Sequence, residues 1–173
     1  MTPPVSRLIP VLLLKDGLIV RSQTFSVHQV IGNPMSTVAR LSDWNVDELI
    51  ILDIGSGGPS DLRRDDLHQA YLGTSTIDVL SEISKVCFMP LTFGGGIRNL
   101  QDIEDRLING ADKITLNTEA VRNPAFISEA ARRFGEQCIV VSIDALKNEA
   151  GGYEVAIDGG KFGTGGVTGG GGV

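Results

Sequence analysis

Five apolar runs of strand length, Leu8–Leu14, Glu48–Ile54, Met89–Phe93, Lys113–Asn117 and Cys138–Ile143, alternate along the chain with four amphipathic stretches. A chain reads this way when each strand is followed by a helix crossing back over the sheet, so the order restricts the fold to α/β with a parallel sheet. The runs are rich in Val, Ile and Leu with little polar alternation, as strands need when both faces of their sheet are covered. The amphipathic stretches, Pro34–Trp44, Thr76–Lys85, Leu100–Asn109 and Pro124–Phe134, carry their own boundaries. Asn33-Pro34 and Asn123-Pro124 each place a capping amide before a proline at the first helical position. Gly110 and Gly135 stand where helices close. Trp44, on an apolar helix face, is expected in the core.

Two runs end in groups suited to an anion. Gly94, Gly95 and Gly96 in FGGGI let backbone N–H groups approach closely, and Asn117 and Thr118 in LNT add side-chain donors beside a helix start. Two such strand ends, one βα unit apart, describe a phosphate site at the C-terminal face of a parallel barrel. A phosphorylated small molecule is the ligand this chemistry implies.

Five strands and four helices are a little over half of an eight-stranded (β/α)8 barrel, which typically needs ~250 residues. The 173 residues therefore read as one truncated barrel over 1–165. A Gly-rich tail over 166–173 has almost nothing to bury and is expected to be mobile. Either the natural chain stops early or the sequence is a fragment. The net charge of −6 argues against nucleic acid as a partner. The apolar run near the start is too short to span a bilayer, and no small-residue cleavage site precedes it. A reducing cytoplasm is the expected compartment, with Cys87 and Cys138 as buried free thiols. His28 and His68 are expected in polar surface loops, without the spacing of metal ligands. Arg63-Arg64-Asp65-Asp66 reads as a solvated loop.

RLIPVLLLKDG, VDELIILDI, FMPLTFGGGI, GADKITLNT and FGEQCIVVSIDA together resemble the first five strands of the cyclase subunit of imidazole glycerol phosphate synthase. GGKFGTG resembles the end of the hairpin that follows strand five. The resemblance runs from Arg7 to about Gly165 and implies a (β/α)8 barrel that receives ammonia from a glutaminase subunit, with no cofactor and no metal. Carried over residue by residue, the family's phosphate site falls on Gly95, Gly96, Asn117 and Thr118. Its second catalytic carboxylate falls on Asp144, and the substrate-contacting cation of its mobile first loop on Arg21. Asp53 matches a carboxylate near the active-site mouth, although an aspartate ending a parallel strand also commonly caps the next loop. Arg7, Glu48 and Lys113 match three members of a charged ring through which ammonia enters; a plain structural salt bridge is the competing reading. Asp112 and Gln137 match positions that face the glutaminase.

One position departs from the pattern. The family's first catalytic aspartate ends strand one, and Leu13 stands in its place. Leucine transfers no proton, and general acid–base work contributes typically 10²–10⁴-fold. PVLLLKDG and CFMPLTFGGGI look closer to family members found with surface-polysaccharide genes, which pass ammonia to a sugar amidotransferase for acetamidino sugars. The rival readings are a histidine-biosynthesis cyclase, a lyase forming imidazole glycerol phosphate, and a non-catalytic half-barrel that binds phosphate or a partner.

Overall fold

The structure, a computed structural model, describes residues 6–23, 27–55, 75–147, 151–157 and 162–167. His68, the Arg63–Asp66 run and residues 168–173 of the expected tail lie outside the described residues. The chain divides into two compact units, Met1–Ile114 and Thr115–Val173.

The first unit is built on parallel strands β1 (Val11–Lys15), β4 (Leu49–Asp53) and β5 (Leu91–Gly94), with β1 beside β4 and β4 beside β5. Their register sets Leu12, Ile51 and Phe93 in one row and Leu13, Leu52 and Gly94 in the next. Side chains alternate across a strand, so these rows face opposite sides of the sheet. Ile51 and Phe93 are fully buried. Their side of the sheet takes the expected helical cover: α1 (Pro34–Asp43), α2 (Thr76–Ser84) and α3 (Leu100–Ile108) bury Val38, Leu80, Ile83 and Ile103.

The helix starts follow their caps. Asn33 Oδ1 accepts from the N–H of Met35 and Ser36 ahead of α1. Ser75 with Asp78, and Asn99 with Asp102, form reciprocal capping boxes. At the end of α1, Trp44 is 69% exposed rather than in the core. It is the C-cap residue, already turning away from the buried stripe.

The first unit holds two strands beyond those expected from the sequence. β2 (Leu18–Gln23) turns back antiparallel on β1, and β3 (Val27–Gly32) on β2. The link from β1 to β2 is the two-residue turn Asp16-Gly17, with φ of 52° and 77°. Asp-Gly is the pair that tolerates positive φ at both central positions of a tight hairpin. His28 accordingly lies in β3 rather than in a loop, and its Nδ1 is buried with no partner among the described residues.

The second unit begins halfway along β6 (Lys113–Leu116) and continues with α4 (Thr118–Arg122), α5 (Pro124–Phe134), a 3-10 turn at Glu136–Cys138 and β7 (Ile139–Val141). The side chain of Asn123 makes no cap bond, so proline at the first position of α5 starts that helix without it. β8 (Asp144–Lys147), β9 (Tyr153–Ile157) and β10 (Phe162–Val167) form an antiparallel sheet in the order β10-β9-β8. Gly166 and Val167, expected to open a mobile tail, are instead the last residues of β10, with Val167 opposite Glu154. Backbone pairing, which glycine retains in full, places this stretch in the sheet. Cys87 and Cys138 are free thiols but half-buried. Burial pushes the Cys87 thiol up.

Candidate functional site

Two groups of the expected site residues lie in the first unit, at opposite ends of β4. At its N-terminal end, Glu48 sits between two cations. Arg7 Nη1 donates to Glu48 Oε1 at 2.5 Å, and Lys113 Nζ to Oε2 at 3.0 Å. The Glu48 side chain is 14% exposed, against 61% for Arg7 and 32% for Lys113. The carboxylate is therefore the enclosed member and the cations its rim. The hydrogen bond from Lys113 holds the Glu48 carboxyl below the usual glutamate range; burial opposes this, and the charges of Lys113 and Arg7 reinforce it. The three residues expected as a ring thus meet around one carboxylate. Nearby, exposed Asp112 is tied into the start of β5: the Leu91 N–H donates to its Oδ2 at 2.8 Å, and the Asp112 N–H donates to the Leu91 carbonyl at 2.8 Å.

At the C-terminal end of β4, Asp53 is held by neutral donors. Thr76 Oγ1 donates to Asp53 Oδ2 at 2.5 Å and the Gly55 N–H to Oδ1 at 2.8 Å. The carboxylate thereby joins β4, the following loop and the first turn of α2. In the β1–β4 register Asp53 pairs with Leu14 while Leu13 pairs with Leu52, so Asp53 and Leu13 face opposite sides of the sheet. Leu13 lies in an apolar row, with Val20 of β2 on its other flank.

The glycine run divides by role. Gly94 is the buried end of β5. Gly95 has φ of 107°, and a Cβ there would stand 2.0 Å from the Asp53 carbonyl oxygen, so backbone approach requires glycine. Gly96 has φ of 64° and is exposed, with Arg106 Nη2 the nearest atom to a built Cβ, at 4.0 Å. Arg106, which no motif in the sequence singles out, also meets this turn. It is 9% exposed, its Nη2 donates to the Gly95 carbonyl at 2.9 Å, and its Nη1 donates to the Asp102 carbonyl at 2.8 Å. Its Nε is buried with no partner among the described residues. Burial draws the guanidinium below its ordinary value, opposed by the charges of Asp102, Asp53 and Asp105. The signal was available: Arg106 follows Ile103 by three residues, which puts it on the apolar stripe of α3.

In the second unit, Asn117 precedes α4 without capping it. Its Nδ2 donates to the Ser142 carbonyl at 3.1 Å, and Thr118 Oγ1 donates to Asn117 Oδ1 at 3.3 Å. Asp144 opens β8, half-buried and opposite Ala156. Gln137 is exposed in the 3-10 turn. Arg21, expected on a mobile loop, stands exposed in β2 opposite Gln29. A shallow depression lined by Ile127, Ala131, Arg132, Glu136 and Ile139 includes none of the expected site residues. Among the described residues, no cluster of three or more His, Cys, Asp or Glu is placed to hold a metal ion, and no helix is long and apolar enough to cross a membrane.

Comparison with known proteins identifies relatives over nearly the whole chain. The imidazole glycerol phosphate synthase subunit HisF of Campylobacter concisus is 42% identical over 159 residues, covering 91% of this chain and 58% of its own length. The protein of the same name from Wolinella succinogenes is 38% identical over 166 residues, covering 95% of this chain and 61% of its own length. The chain thus spans about three-fifths of the curated relatives it matches. Residues 7–168 match the family described as histidine biosynthesis protein, a family of (β/α)8 barrels. The chain belongs to that histidine biosynthesis family.

Proposed function

We propose that the chain acts in a cyclase-type subunit of imidazole glycerol phosphate synthase that takes ammonia from a glutaminase partner. The observation that carries this reading is Glu48 held between Arg7 and Lys113. All three stand at or before the N-terminal ends of strands, where a barrel of this kind ordinarily invests in stability rather than chemistry. A carboxylate pinned by two cations can be opened by moving one of them, which is what a gate for a small neutral molecule requires. Exposed Asp112 supplies charge for docking beside it, and Gln137 a further polar contact. For a phosphorylated substrate the reading draws on Gly96 at the end of β5 and, separately, on Asn117 and Thr118 at the end of β6. Asp144 serves as the carboxylate of the ring-closing chemistry.

The test is glutamine-dependent turnover of the phosphorylated ribulosyl-aminoimidazole substrate with the glutaminase subunit present. Glu48→Gln is expected to lower the glutamine-driven rate while leaving the rate with ammonium salt nearly unchanged. Equal losses in both assays would remove the gate. Docking is tested apart from turnover: reversing the charge of Asp112 together with a bulky replacement of Gln137 is expected to abolish capture of the glutaminase.

Leu13 favours a second reading, in which the subunit supplies ammonia to a sugar amidotransferase for amidino sugars of a surface polysaccharide. Set between Val20 and Leu52, it offers no group that could exchange a proton. Leu13→Asp is expected to raise ammonium-dependent cyclase turnover about 10²-fold or more, the ordinary contribution of one positioned acid or base. Wild-type turnover at the level of the Leu13→Asp variant would decide for the histidine-pathway activity instead.

A further inference from the structure

The Gly95–Gly96 peptide is a trans unit, so its carbonyl and its N–H point in opposite directions. Arg106 Nη2 binds that carbonyl at 2.9 Å from the buried side. The Gly96 N–H on the same peptide plane therefore points away from Arg106, and Gly96 is exposed. The guanidinium lies close behind the turn, with its Nη2 4.0 Å from where a Cβ on Gly96 would be. It is held by two carbonyl oxygens and forms no close ion pair among the described residues, while the charges of Asp102 and Asp105 on α3 and of Asp53 on β4 act on it from further away. A buried cation without a paired carboxylate is costly, and an anion nearby offsets that cost.

We propose that Arg106 is the positioning residue of a phosphate site at the end of β5, turning the Gly96 N–H outward and placing a buried guanidinium, held by two carbonyl oxygens, behind the bound anion. The inference rests on the phosphate reading above and adds a selectivity to it. The positive charge of Arg106, offset in part by Asp102, Asp53 and Asp105, favours the dianion of a phosphate monoester over the monoanion, and these forms interconvert near pH 6. The charge acts through the polarised Gly95–Gly96 peptide, which hydrogen bonding at its carbonyl makes a stronger donor at its N–H.

The experiment titrates the 173-residue chain with glycerol 3-phosphate at several pH values between 5 and 8, following the Gly96 amide resonance. The wild-type chain is expected to bind more weakly as the pH falls through about 6, where the dianion is lost. Arg106→Leu, checked for folding by circular dichroism, is expected to lose tenfold or more in affinity and most of the pH dependence. Arg106→Lys keeps the charge but loses the two-carbonyl grip, so its affinity falls less and its dianion preference remains. It also keeps the proposal testable if the leucine variant does not fold. Should the wild type fail to shift the Gly96 amide at all, the phosphate reading itself fails. Should it bind while a folded Arg106→Leu variant matches it in affinity and pH profile, or, in its place, Arg106→Lys matches it in affinity, the phosphate reading survives and the role of Arg106 is overturned.

Discussion

Glu48 and Asp53 bracket one five-residue strand, and the protein treats their carboxylates in opposite ways. Glu48 is bound by two charged groups reaching in from the start of the chain and from β6; Asp53 is bound by a hydroxyl and a backbone N–H from the segments that follow it. A carboxylate between two cations keeps its ionised form by Coulomb attraction, so its contribution depends on pH and salt. A carboxylate satisfied by neutral donors acts as a geometric tie. The same residue chemistry thus serves an electrostatic role at one end of β4 and a scaffolding role at the other.

The largest effect that would break this comparison comes from Gly95, whose backbone lies against Asp53. Gly95→Ala combines positive φ with a Cβ 2.0 Å from the Asp53 carbonyl oxygen. It is expected to cost about 3–5 kcal/mol in urea unfolding, the scale of backbone strain plus overpacking. Gly96→Ala is expected to cost only about 1–2 kcal/mol, because positive φ is its sole penalty. Equal losses at the two positions would show that Asp53 does not set the shape of the turn.

Next comes Thr76→Val, which keeps the shape of the side chain and removes the donor to Asp53 Oδ2. Losing a hydrogen bond to a half-buried carboxylate is expected to cost about 1–2 kcal/mol. An unfolding midpoint that stays at its wild-type value would mean the contact is idle.

Smallest is Glu48→Gln, at about 1 kcal/mol near neutral pH because Arg7 is largely solvated and Lys113 partly so. Its pH profile carries the information. The folded pKa of Glu48 is lowered, chiefly by the Lys113 hydrogen bond. Its stabilisation is therefore fully present above the ordinary glutamate value of roughly 4.3 and is lost as the pH falls through the folded value. The variant and wild type should differ at pH 7 and converge in acid. A difference that persists unchanged below that range would show that the carboxyl acts by packing alone.

Parts of this arrangement were legible in the letters. The strand that carries Glu48 and Asp53 announces itself as an apolar run, and the capping amide of Asn33 states where α1 begins. Asp16-Gly17 announced a hairpin just as plainly, but the apolar runs around it belong to strands of one parallel barrel and an antiparallel excursion that share the same composition. Arg106 was harder. A guanidinium on an apolar stripe reads as an exception until the carbonyl it meets, eleven residues earlier in sequence, is known.

By itself the sequence determined the alternation of strand and helix and the capped helix starts. These follow from periodicity, dihedral preference and hydrogen-bonding capacity, which are local properties. Only the tertiary structure decided that Gly95 is glycine because of Asp53, that Glu48 gathers Arg7 and Lys113, and that Arg106 stands behind Gly96. Each of those facts depends on which atoms register and packing bring within a few ångströms, and contact across such sequence distances is a property of the folded chain.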